Sequence, residues 1–317
     1  MNAVLFIAAP IFALIAAGFF AGRGGFLTPE DAHGLNRFVF LFAMPAATFA
    51  FAAGSPPPTL AAAPFALSYL VVAVFAMAAG FAIGRFVFKL TPAAAGVHAY
   101  CGVLANAVFL GLPIALSVEG WATPYLVLML MEGGVIVTLG AALSALPDAT
   151  GREGANVAQS LRMAARGVIR NPIILGLVAG FGLSFSGLAL PAPAMTFFEL
   201  LAAAAAPAAL FSLGATLSER GAEPSGKGQG EAANIAAIAV IKLAVLPAGA
   251  WLLASRFADP PDAWMGALLL FTSLPVGAMV YVQATRRGIY TGVAAAALGV
   301  TTILSVITVS TVLAVFA

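Results

Sequence analysis

Apolar runs of about 20 residues, each long enough for one helical pass through a bilayer, follow one another along almost the whole chain. They lie at 3–22, 35–53, 62–88, 93–118, 122–146, 170–188, 194–217, 232–255, 262–284 and 290–316. The connections between them are too short to build a water-soluble domain. In lipid every backbone N–H and C=O must be satisfied within the protein, so such runs can only be helices. The expected fold class is an all-α polytopic membrane protein with ten transmembrane helices. Composition agrees, with 62% hydrophobic and 8% charged residues, against about a quarter charged in a soluble domain. The first run has no basic stretch before it and is long enough to span. It is read as the first transmembrane helix and not as a cleaved signal.

Ten passes put alternate loops on opposite faces. One face collects Arg23, Arg37, Arg85, Lys89, Arg152, Arg162, Arg166, Arg170, Arg220, Lys227, Arg286 and Arg287, and the other only Arg256. The basic face is the cytoplasmic one by the positive-inside rule, which predicts both termini outside; the expected location is a bacterial-type inner membrane. The single cysteine, Cys101, excludes a disulfide framework, and the two histidines, His33 and His98, have no ligand-spaced partner. No metal, cofactor or nucleic-acid partner is therefore expected.

The chain also resembles itself. PIFALIAAGF at 10–19 and PIILGLVAGF at 172–181 share five of ten positions at a shift of 162. The same shift pairs Pro29 with Pro191, Pro45 with Pro207, and Pro113 with Pro275. Four proline pairs at one spacing point to duplication. Each half holds five passes, an odd number, so the halves enter the membrane from opposite sides, as in the inverted repeats of many secondary transporters. The expected division is 1–146, a cytoplasmic loop at 147–169, and 170–317.

The repeat explains why the fourth run carries Asn106, Gly111 and Pro113 near its middle. Proline has no amide hydrogen and clashes with the preceding turn, but it suits the first turn of a helix. The fourth run is read as two half-helices, broken near Gly111–Leu112 and restarted at Pro113. The ninth is read likewise, broken near Ser273–Leu274 and restarted at Pro275. Crossing at mid-membrane, the restarted halves would turn their positive ends toward an anion. The candidate substrate-binding residues are Asn106, Gly111, Pro113, Ser273, Pro275 and Gly277. Pro45 and Pro207 are expected to shape two further helices.

The N-x4-G-x-P pattern at 106–113, LPVGAMVYVQATRRG at 274–288 and NPIILG at 171–176 together closely resemble the auxin efflux carrier family, which includes plant auxin exporters and bacterial carriers of malate, malonate and similar acids. The likeness covers nearly the whole chain. It implies an elevator-type secondary carrier with a scaffold of spans 1, 2, 6 and 7 and a transport core of spans 3–5 and 8–10. It also implies that Asn106 helps to hold a substrate carboxylate. This chain departs from the plant members in having Val276 after the ninth-span proline and a short central loop, which points away from auxin.

Ionisable residues at membrane depth are costly and mark function by default. Two lie near span centres, Glu132 in LMLMEGGVIV and Lys242 in AVIKLAVLP. They are expected to pair, or nearly pair, beside the crossing and to couple transport to proton movement, Lys242 standing where a sodium ion would otherwise sit. The expected partners are thus a small organic anion and the lipid bilayer; a homodimer is compatible with the chain. The alternatives are a sodium-coupled symporter of the bile-acid type and a membrane sensor without transport. An intramembrane enzyme is not expected, because no nucleophile–base arrangement, HExxH motif or paired aspartates occur in the spans.

Overall fold

Three helices begin where Thr or Asn is followed by proline. In the computed structural model, which describes residues 2–55, 62–146, 162, 165–167, 169–220 and 229–317, Thr28, Thr91 and Asn171 each use a side-chain oxygen to accept an amide of the first turn, with proline next in line. The cap satisfies one orphan amide and the proline supplies a preset φ where no N–H is needed. The elements are α1 (Asn2–Arg23), α2 (Pro29–Gly54), α3 (Ala63–Val87), α4 (Pro92–Cys101), α5 (Ala107–Ser117), α6 (Ala122–Leu143), α7 (Pro172–Ser186), α8 (Ala192–Arg220), α9 (Glu231–Phe257), α10 (Asp262–Ser273), α11 (Ala278–Arg287) and α12 (Thr291–Phe316). No β-strand occurs among the described residues. Arg152, Lys227 and most of the central loop at 147–169 lie outside the described residues.

Six helices, α2, α3, α6, α8, α9 and α12, are long and apolar enough to cross a membrane, while α5 and α7 are shorter apolar helices. Large apolar side chains such as Phe75, Leu200, Ile303 and Ile307 face outward, whereas Glu132 and Lys242 are buried. That distribution suits a surrounding of lipid and would be a liability in water.

Helix α1 packs along α8, and α7 along α2. Both contacts rest on a missing side chain. A Cβ on Gly18 would lie 1.9 Å from the Phe211 carbonyl oxygen, and one on Gly180 would lie 2.5 Å from that of Phe49. The 162-residue shift superposes these two glycines, and each lets two helix backbones touch, as small residues do in membrane interfaces. The remaining elements form a second set of contacts, α3 with α4 and α9, α10 with α6, α9 and α12, and α4 with α6.

Prolines shape several helices through wide turns. Val39–Ala43, Ala107–Gly111 and Ile241–Val245 are π-helical, and Pro45, Pro113 and Pro247 each follow two residues after such a turn. The wider i→i+5 turn makes room for the ring and lets the helix continue without the amide that proline lacks. Pro45 therefore sits just past a π-turn, while Pro207 lies within the continuous α8.

Candidate functional site

The fourth and ninth apolar runs are both interrupted, and the interruptions meet. Helix α4 ends at Cys101 and α5 begins at Ala107; α10 ends at Ser273 and α11 begins at Ala278. Between them Ala105 and Val276 form an isolated antiparallel bridge. The Asn106 N–H donates to the Pro275 carbonyl at 2.9 Å, and the Gly277 N–H to the Leu104 carbonyl at 2.9 Å. Two unwound segments thus satisfy each other's backbone groups inside protein, the condition for non-helical chain at membrane depth. Gly277 is obligatory here, since a Cβ would lie 2.6 Å from the Ala105 carbonyl oxygen.

The first break lies earlier than the sequence suggests. Residues 107–117 stay helical, so the chain is not broken at Gly111–Leu112 and does not restart at Pro113. The π-turn at Ala107–Gly111 absorbs the proline, with the Asn106 carbonyl accepting the N–H groups of both Leu110 and Gly111. Gly111 instead clears the space through which the Tyr125 hydroxyl reaches the Ala107 carbonyl at 2.8 Å; a Cβ would lie 1.9 Å from that hydroxyl. The second break falls near Ser273–Leu274 as expected, but its helix restarts at Ala278, leaving Pro275 in the unwound stretch. Pro113 and Pro275 are therefore not equivalent in position.

Four side chains hold further backbone groups of the breaks. The buried Glu132 carboxyl accepts the Ala105 N–H at 2.6 Å. The Thr301 hydroxyl accepts the Val276 N–H at 3.1 Å. The Lys242 ammonium, also fully buried, donates to the Thr272 carbonyl at 3.1 Å, at the negative end of α10. The Thr308 hydroxyl donates to the Ser273 carbonyl at 2.9 Å. Glu132 opens one π-turn, Glu132–Ile136, and Lys242 lies in another. Among the described residues no ion pair joins Glu132 to Lys242; each is bonded to backbone at a different break.

Asn106 and Gly277 are the residues from which α5 and α11 start, so both half-helix N-termini face the crossing. The Asn106 side-chain amide nitrogen is buried and has no partner among the described residues. The structure thus brings together Asn106, Pro275, Gly277, Glu132 and Lys242 around the crossing. Gly111 and Pro113 lie within α5 beside it, and Pro45 and Pro207 stand apart on α2 and α8. Ser273 ends α10 and lines a cavity of about 320 Å³ with Leu243, Trp251 and Thr308. A second cavity, of about 540 Å³, is lined by Glu231, Asn234 and Tyr290. Thr301, Thr308 and Tyr125 escape a search of the sequence confined to charges and helix breakers; the one available signal is a hydroxyl within an apolar run.

A family model described as "Membrane transport protein" matches residues 4–313. A protein of Rhizobium meliloti (strain 1021) described as "Putative malonate transporter" is 30% identical over 303 residues, which are 95% of this chain and 92% of that protein.

Proposed function

Because the chain belongs to the membrane transport protein family, the auxin efflux carrier family, we propose that it is a secondary carrier of small organic anions that binds its substrate at the crossing of α4–α5 with α10–α11. The observation that carries this reading is the pair of mutually bonded breaks, with the Asn106 amide left unpartnered beside two helix N-termini. Amide donors and positive helix ends suit a carboxylate. The relative described as a malonate transporter makes malonate the first substrate to test.

In this reading the ten runs are ten passes arranged as an inverted five-plus-five repeat in the inner membrane. The α1, α2, α7 and α8 set is the scaffold, and the other helices are a core that carries the site across. The reciprocal contacts of Gly18 and Gly180 support such symmetry. The residues that meet at the crossing, Ala105 and Val276, stand farther apart than 162 positions. The core halves keep a different spacing, since α3 ends at Val87 and α9 at Phe257, 170 positions apart. Glu132 and Lys242 couple the cycle to protons. Lys242 already covers the Thr272 carbonyl, a place where a sodium ion would need oxygen ligands, and this favours proton over sodium coupling.

The test is malonate counterflow in proteoliposomes. Wild type exchanges malonate, Asn106→Ala folds but loses binding by about tenfold or more, and Lys242→Gln exchanges without responding to a pH gradient. Unchanged affinity in Asn106→Ala removes the crossing as the binding site. A sodium requirement, or an unaltered pH response in Lys242→Gln, removes proton coupling.

A further inference from the structure

One side chain of α6 reaches both interrupted helices. The Tyr125 hydroxyl donates to the Ala107 carbonyl at 2.8 Å, in the first turn of α5. Its ring stands edge-on against Phe271 of α10, with 5.0 Å between centroids, two residues before that helix ends at Ser273. Tyr69 of α3 also sets its ring edge-on against Phe271, at 5.3 Å. All three rings are fully buried. Gly111 makes the approach possible, since a Cβ there would overlap both the Tyr125 hydroxyl and Cδ1 of Leu274 in the second break.

The carbonyl that Tyr125 holds occupies a sensitive place. Ala107 opens the π-turn of α5, and its carbonyl also accepts the Leu112 N–H, five residues on. The next residue, Pro113, has no N–H to give. A π-turn is wider than the α-helix that follows it, so the pairing of this carbonyl sets how the first turn is seated on the rest of α5. Asn106, with its unpartnered side-chain amide, immediately precedes Ala107. The Tyr69 hydroxyl, by contrast, has no partner among the described residues. Tyr69 thus shares the ring contact with Phe271 and lacks the tether to α5.

We propose that Tyr125 is a positioning residue for the substrate site. Its hydroxyl seats the first turn of α5, and with it the Asn106 amide, while its ring seats the end of α10. The two breaks thereby keep one mutual geometry. The proposal rests on the reading of the crossing as the binding site.

The test compares Tyr125→Phe with Tyr69→Phe, each of which keeps its ring. Malonate counterflow is measured in proteoliposomes, and hydrogen–deuterium exchange is followed on the purified protein without substrate. Tyr125→Phe is expected to raise the KM for malonate about fivefold and to leave the maximal rate within about twofold of wild type. Deuterium uptake should quicken over residues 105–112. Tyr69→Phe is expected to match wild type in both readouts. A wild-type KM or wild-type uptake in Tyr125→Phe overturns the proposal. So does a fall in maximal rate at unchanged KM, which is what a purely structural contact would give, and so does an equal rise in KM in Tyr69→Phe. If Tyr125→Phe does not fold, Phe271→Leu removes the seat of the ring instead; a raised KM there supports the proposal and a wild-type KM overturns it. Asn106→Ala is run alongside. Unchanged malonate affinity in that variant removes the crossing as the binding site, whereas a response to Asn106→Ala with none to Tyr125→Phe removes this proposal alone.

Discussion

The Thr301 hydroxyl is caught between two backbones, donating to the Ala297 carbonyl at 2.7 Å and accepting from the Val276 amide at 3.1 Å. Replacing Thr301 with Val keeps the shape and removes the acceptor, which leaves a buried amide unpaired. The expected cost is about 1–3 kcal/mol, seen as a lower midpoint in a thermal-shift assay, with most of it restored in Thr301→Ser. A midpoint equal to wild type in Thr301→Val would mean that the second break does not need this contact. Thr301 could not be read from the sequence, because its neighbour Thr302 has the same chemistry and turns its hydroxyl to Leu298 in its own helix. Glu132 and Lys242 could be read, because a charge inside an apolar run is expensive unless something holds it. Their partners could not: both bind backbone groups that become available only where another helix has unwound.

At the level of elements, the sequence marks the interrupted runs but misplaces one interruption. Proline is a good first residue of a helix, so Pro113 reads as a restart. The structure puts it inside α5, behind a π-turn of the kind that also precedes Pro45 and Pro247. What holds the first break open at Gly102–Asn106 is not a local helix breaker but the bonds to Leu104 and Asn106 from a segment far along the chain. Pro113→Ala is therefore expected to leave the break intact. An interior proline costs a helix about 3 kcal/mol, so the variant should be at least as stable as wild type and should still exchange malonate. Loss of exchange as deep as in Asn106→Ala would show that Pro113 itself shapes the binding geometry.

For the whole molecule, legibility followed the strength of the physical constraint. Lipid demands long apolar helices, so the runs could be found; close backbone contact demands glycine, so the matched Gly18 and Gly180 carried real packing information. The register of the crossing was not recoverable from the shift that aligns those glycines, since a loop can lengthen without disturbing the helices it joins. Membrane orientation rests on loop charge alone and can be tested with the chain's own chemistry. Cys101 is fully buried, so a membrane-impermeant maleimide should leave folded wild type unlabelled. Ala317 and Arg166 are exposed, and each can be replaced by cysteine in turn. Ten passes with a basic cytoplasmic face require Ala317→Cys to react in intact cells and Arg166→Cys to react only after permeabilisation. If both react from the same side, the number of passes between them is even instead of odd, and the inverted repeat fails. If the two sides are exchanged, the repeat survives but the charge rule has been read with the wrong sign.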